Sequence, residues 1–199
     1  MQEILKSISK DFFDRDEPDR VEELIANYNV SEEAIKTQWL GYPPATKDAV
    51  KAKESGLGIL LPPSYKEFLL CSNGFRIVSP FLDNLWPIEK VDWAKNTEEH
   101  WWFNLMEEVE SQIPDEDYLI YDERQDTSGF RCEYFRHSLK ISEWYDGMCI
   151  FLNPLIKHGE EWEVLEYATW YAGAQRYRSF REYLEAVHKT NQMLINNRS

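Results

Sequence analysis

The side chains best suited to chemistry in this sequence are four histidines, three cysteines and a surplus of carboxylates. His100, His137, His158 and His188 stand far apart. None has a second His or a Cys at the spacing of a zinc site, so no metal centre is expected. His137 and Ser138 are adjacent, but neighbours on a strand point to opposite faces, which does not build a nucleophile–base pair. A Gly-rich phosphate loop and a nucleophile-elbow serine are both missing. Catalysis would fall to the acids alone, and with 36 Asp and Glu some pair always lies close by chance. The sequence therefore assigns no catalytic residue and no cofactor. Cys71, Cys132 and Cys149, odd in number and widely spaced, suit a reduced state better than a disulfide framework, and Cys71 and Cys149 read as buried small hydrophobes.

The acids say more as a surface. Nine lie between Glu107 and Asp126 (Glu107, Glu108, Glu110, Asp115, Glu116, Asp117, Asp122, Glu123 and Asp126) against one base, Arg124. A second group, Glu160, Glu161, Glu163 and Glu166, surrounds Trp162. Such runs ordinarily form solvated surface. They also suit a basic protein partner, whose approach opposite charge would steer and whose contact exposed aromatics would anchor. On that reading the partner-binding candidates are Glu107, Glu108, Glu110, Asp115, Glu116, Asp117, Trp101, Trp102, Glu160, Glu161 and Trp162. The eight tryptophans are scattered, so most of them are expected in the core. Residues 174–199 hold five Lys and Arg against two Glu, so the acidity is concentrated elsewhere.

The whole chain of 199 residues carries 22 Lys and Arg against 36 Asp and Glu, a formal charge of 22 − 36 = −14. That sign disfavours direct binding to nucleic acid or to an anionic membrane. With 43% hydrophobic residues the chain can fill a sizeable core, and its length suits one domain over 1–199. An N-terminus with dispersed charge and no long apolar run points to the cytoplasm.

The elements that must position these residues change character along the chain. Residues 1–40 read as helical, with Ile4, Leu5, Ile8 and Phe12 on one face and Val21, Leu24, Ile25 and Tyr28 on another. Ser31 and Thr46 are helix caps, and Gly56 and Gly58 stop the helix that Thr46 starts. Pro63 opens a helix through Ser72, with Asn73-Gly74 as its left-handed stop. Short β-rich runs follow at Phe75–Val78, Leu85–Val91, Tyr118–Tyr121, Cys132–Phe135, Leu139–Ser142, Met148–Leu152 and Trp162–Ala168. Asp146-Gly147 marks a hairpin, and Ser179 with Glu182 begins a closing helix. Helices, then a meander of strands, then a helix predict an α+β fold: a mostly antiparallel sheet flanked by N-terminal helices and a C-terminal helix.

Several segments together carry a resemblance. WLGYPPAT (Trp39 to Thr46), Glu54-x-x-Leu57-Gly58 and LPPSYKEFLLCSNGF (Leu61 to Phe75) resemble the N-terminal signature of the SUKH superfamily. This group includes the fungal cell-wall assembly regulator and many bacterial immunity proteins. LWPIEKVDW (Leu85 to Trp93), YLIY (Tyr118 to Tyr121) with Gln125-Asp126, and FLNP (Phe151 to Pro154) resemble its sheet region. Trp162-Glu163 and Tyr177–Leu184 resemble its end, so the likeness runs from about residue 31 to 188 and implies that 1–30 is a helical N-terminal extension of the family domain. Many members carry a second glycine after Asn-Gly; here Phe75 stands in that place and is expected to join the core.

The resemblance implies a SUKH-like fold with no catalytic site and a binding role. It points to an immunity-type protein that neutralises a cognate basic toxin, of the kind that acts on nucleic acid, by blocking its active surface. The alternative it leaves open is a cytosolic regulatory or scaffolding module for an endogenous protein. Oligomeric state is not legible.

Overall fold

The computed structural model describes residues 1–13, 22, 25–26, 30–82, 84–97, 111, 113–121, 123–170 and 173–197. Helix α1 (Gln2–Phe13) buries Leu5, Ile8 and Phe12 at the expected spacing, and with them the polar Ser9 and Asp11. On the second expected face, Ile25 is helical but 46% exposed, while Val21, Leu24 and Tyr28 lie outside the described residues. Helix α2 (Glu32–Thr37) starts where the Ser31 hydroxyl accepts the Ala34 N–H at 3.3 Å. Helix α3 (Lys47–Leu57) starts on Thr46 in the same way and stops at Gly58, whose φ of 72° suits glycine.

Helix α4 (Pro63–Cys71) starts at Pro63 as expected and ends one residue short of the expected Ser72. At its C-terminus Ser72 is extended, and the left-handed residue is Gly74, two positions on. The Ser72 hydroxyl explains this: it accepts the Tyr42 N–H at 2.8 Å and donates to the Gly74 carbonyl at 2.5 Å, drawing the chain onto the Tyr42–Pro44 segment. At the N-terminus Pro62 has no capping side chain. The free donors are met from across the molecule by Glu161, which accepts the Ser64 N–H at 3.0 Å and the Ser64 hydroxyl at 2.6 Å. A carboxylate there also faces the positive end of the helix dipole.

The sheet has five antiparallel strands in sequence order: β1 (Asp92–Trp93), β2 (Leu139–Lys140), β3 (Met148–His158), β4 (Glu161–Ala168) and β5 (Ala174–Tyr177). Tyr145 and Met148 exchange backbone bonds around Asp146-Gly147, whose φ values of 44° and 77° make the expected tight turn. Helix α6 (Phe180–Asn196) closes the chain from a Ser179 cap, and the Glu182 carboxylate reaches back to the N–H of Arg178 at 2.6 Å. The observed fold is α+β, helices around an antiparallel sheet.

Four of the expected β runs are not strands. Phe75–Val78 and Leu85–Val91 contribute only isolated bridges, Phe75 pairing with Gly41 and Leu85, and Leu85 also with Ser142; Pro80 and Pro87 cannot donate to a ladder. Tyr118 ends a single helical turn, α5 (Asp115–Tyr118), set by Pro114 and three acids at its start. Cys132–His137 is a 3₁₀ helix, whose three-residue repeat aligns the buried Cys132 and Phe135.

The sheet's two faces are covered differently. Ile150, Leu152, Trp162 and Val164 join a large apolar cluster with α1, α4 and α6. Phe75 belongs to it, fully buried with Trp39 edge-on at 5.8 Å. On the other face Cys149, Phe151 and Leu165 meet Phe135 and Cys132 in a smaller cluster. There the cover comes from the irregular chain between 113 and 137, and polar contacts must do part of the positioning.

The Glu161 cap yields a first prediction. Glu161→Ala leaves the sheet intact but removes both acceptors from the start of α4, so it should cost about 1–2 kcal/mol in urea unfolding. A loss below about 0.3 kcal/mol would show the cap to be idle.

Candidate polar cluster and acidic surface

A carboxylate lies at the centre of the irregularly covered face. Glu163 pairs with Asn153 across the β3–β4 hairpin, and both are fully buried. The Asn153 amide donates to Glu163 Oε2 at 2.7 Å, the Tyr118 hydroxyl donates to the same oxygen at 2.9 Å, and the Tyr121 hydroxyl donates to Oε1 at 2.8 Å. Three donors from two separate stretches of chain thus close on one side chain. Burial pushes the Glu163 carboxyl above its ordinary range, while the bonds from Asn153, Tyr121 and Tyr118 and the charge of Arg176 pull the other way. Burial, and then the charge of Glu163, push both tyrosine hydroxyls up, which keeps them donors.

Arg176 on β5 is 1% exposed and stands 4.6 Å over the Tyr118 ring. Arg131 lies at the same distance from that ring. Arg176 Nη1 donates to the carbonyls of Gly129 at 3.0 Å and Asp126 at 3.3 Å, while its Nε and Nη2 have no bond among the described residues. It makes no ion pair with Glu163; Tyr118 links them, ring under the guanidinium and hydroxyl on the carboxylate.

Gln125 completes the cover. Its amide donates to the Arg176 carbonyl at 2.9 Å and accepts the Arg176 N–H at 2.6 Å, so one side chain pairs with the outer edge of β5 as a neighbouring strand would. An edge occupied in this way is a poor template for another chain.

The hairpin itself is irregular beside this cluster. Asn153 pairs with Glu163 and Lys157 with Trp162, so Pro154, Leu155 and Ile156 bulge out of register. Asn153 Oδ1 holds the bulge by accepting the Leu155 N–H at 3.0 Å. The Tyr121 ring meets the His158 ring edge-on at 4.8 Å just beyond it. Burial, reinforced by the charge of Arg178, lowers the His158 pKa.

The sequence-derived candidates fall into three groups. Asp115, Glu116 and Asp117 are exposed on α5, and Glu160 is exposed at the β3–β4 turn; Asp115 pairs with Arg131 at 2.6 Å. Tyr118, which ends α5, and Tyr121 both dock on the β3–β4 hairpin, through Glu163 and His158. Glu161 and Trp162 serve the fold: Glu161 caps α4, and Trp162, 3% exposed, packs in the large core and offers no surface for an anchor. Glu107, Glu108, Glu110, Trp101 and Trp102 lie outside the described residues. Sequence reasoning missed Asn153, Glu163, Arg176 and the two tyrosines as a unit. The signal available was the set of short segments YLIY, Gln125-Asp126, FLNP and Trp162-Glu163, which converge here; nothing marked Arg176.

Among the described residues no group of His, Cys, Asp and Glu is arranged to hold a metal ion, and no helix is long and apolar enough to cross a membrane. A helix-backed antiparallel sheet whose polar residues fasten its cover defines a protein of the α+β class. The chain belongs to the SMI1 / KNR4 family (SUKH-1), whose model matches residues 44–186. That match takes in α3 through the first half of α6 and leaves α1 and α2 outside. No curated protein matches the chain. Proteins of this family are in general non-catalytic binding or immunity modules.

The cluster predicts a pH signature. A carboxyl raised by folding takes up protons as the chain folds, so its contribution is fully present below the ordinary glutamate range and lost as pH rises. Wild type should lose stability relative to Glu163→Gln as pH rises above about 4, the ordinary glutamate range, in urea titrations. Tyr118→Phe, which deletes one donor, should cost about 1–3 kcal/mol and steepen that loss. Parallel pH profiles for wild type and Glu163→Gln would refute the assignment.

Proposed function

We propose that this chain is a non-catalytic, immunity-type binding protein of the cytoplasm, which neutralises a cognate basic toxin by covering its active surface. The observation that carries the reading is family membership joined to the charge: −14 overall, with Glu116 and Asp117 exposed on α5 and Glu160 exposed at the β3–β4 turn. A toxin acting on nucleic acid needs a basic cleft, and an acidic protein competes for it with the same electrostatics as the substrate. The backbone beneath these acids is already held by Tyr118 and the β3–β4 pairing, so little main-chain freedom is lost on binding. Glu107, Glu108, Glu110, Trp101 and Trp102 belong to the proposed surface on the strength of the sequence; Asp115 to Asp117 and Glu160 belong to it by exposure as well.

Affinity capture from the native cell tests this, with wild type run beside Glu107→Lys/Glu108→Lys/Glu110→Lys and Glu116→Lys/Asp117→Lys/Glu160→Lys. Wild type should recover one basic protein. With that protein purified, at least one variant should associate about tenfold more slowly at low salt while unfolding like wild type. Equal rates for all three proteins would remove the acidic surface from the reading. An endogenous signalling protein as the captured partner would favour the regulatory alternative.

A further inference from the structure

Two clefts share Tyr42, Pro43 and Pro44 in their linings, and both prolines are exposed. One, of about 490 Å³, is lined further by Asn84, Trp86 and Pro87. The other, of about 460 Å³, adds Trp39 and Arg76. Asn73 fixes the walls of the first: its N–H donates to the Pro43 carbonyl at 3.1 Å, and its side-chain oxygen accepts the Ile88 N–H at 2.8 Å. Gly74 allows that approach, since a Cβ there would stand 2.8 Å from the Leu85 carbonyl oxygen. One group in this cleft is unsatisfied. Trp86 is 4% exposed, and its indole N–H has no acceptor among the described residues, although a buried tryptophan ordinarily finds one. Lys90, which also lines the cleft, holds its ammonium 4.6 Å over the Trp86 ring and pairs with Glu143. Side-chain exposures of 50% and 40% leave that pair free to exchange partners.

We infer that the cleft between Tyr42-Pro43-Pro44 and Trp86-Pro87 is a docking site for an extended, proline-rich segment of a partner protein, with an arginine of that segment on Glu143. A proline-rich segment has no internal hydrogen bonds and offers bare carbonyls to a spare donor such as the Trp86 N–H, while its prolines bring no N–H to be satisfied. Its rings pack on walls of aromatic and proline side chains. Two clefts with one shared wall call for an elongated occupant rather than a compact one. Arginine can grip Glu143 through two parallel hydrogen bonds, which displaces Lys90 and uncovers the Trp86 ring. The cleft shares no residue with the proposed acidic surface, and its occupant is independent of the toxin.

Two labelled peptides of equal length serve as probes: an arginine-flanked proline-rich peptide, and its copy with every proline replaced by alanine. Binding is read by anisotropy and located by amide and indole chemical shifts. Wild type should bind the proline-rich peptide about fivefold or more tightly than the alanine copy. Shifts should centre on the amides of Tyr42, Asn84, Trp86 and Lys90 and on the Trp86 indole N–H. Trp86→Phe, which keeps a ring and deletes the donor, should bring the margin below about twofold, and so should Pro44→Ser on the exposed wall. Should Trp86→Phe fail to unfold like wild type in urea, Pro44→Ser and the shifts decide. Glu143→Gln should weaken the arginine-flanked peptide about threefold and leave a glutamine-flanked one unchanged; equal effects on both would overturn the arginine contact. Equal affinity for the proline and alanine peptides, no binding by either, shifts confined elsewhere or an undiminished margin in Pro44→Ser would overturn the docking site. The same shifts on raising the protein concentration alone would give the cleft to a second copy of this chain and overturn the peptide.

Discussion

Everything on the irregular side of the sheet depends on one buried carboxylate. Glu163 has no exposure and accepts three hydrogen bonds, from Asn153 on its own hairpin and from Tyr118 and Tyr121 on the covering chain. Burying such a group is costly, and an apolar replacement of similar shape is often at least as stable. An apolar residue, however, would accept many neighbouring packings, whereas a carboxylate is satisfied only when its donors arrive at the right distance and angle. Within 113–131, α5 is a single turn, so backbone regularity alone cannot set the position of the chain. The carboxylate fixes it, and Gln125 fixes its far end against β5.

The helical side is joined by similar devices at smaller scale. Ser72 ties the end of α4 to Tyr42, and Glu54 on α3 accepts the Leu61 N–H at 2.8 Å and pairs with Lys66 at 3.3 Å. Glu161 supplies the cap that Pro62 lacks. Each joins elements whose apolar faces would tolerate some sliding if packing were the only restraint. Short polar side chains thus set registers, and the aromatic core supplies the bulk of the driving force.

Local structure was legible where it depends on neighbours in sequence. Ser31, Thr46 and Ser179 cap because their hydroxyls reach an N–H three residues on, and Asp146-Gly147 turns because both residues tolerate positive φ. Legibility failed where the decisive partner is remote. Tyr118–Tyr121 has the composition of a strand, and it becomes a helical turn and a docking loop because its hydroxyls are claimed by a residue some forty positions away. β5 reads as polar because its buried arginine is neutralised only in three dimensions, by carbonyls and the Tyr118 ring. The acids at 160–163 looked alike in sequence. The fold gives them three fates: Glu160 in solvent, Glu161 on a helix end and Glu163 at the centre of the cluster.

That division bears on how such a scaffold can serve binding. The residues that carry the family signature mostly face inward, onto caps, edges and the Glu163 cluster, and are used up in holding the fold. What they leave outward, on α5, on the bulge of β3 and on the hairpin turn, is under few internal constraints. Glu116, Asp117, Leu155 and Glu160 can change without disturbing a donor or the packed core. Loops braced from beneath in this way combine a rigid backbone with a free choice of side chains, and one fold then presents unrelated surfaces to unrelated partners. The charge that the chain turns outward is therefore its own property, and family membership alone does not supply it.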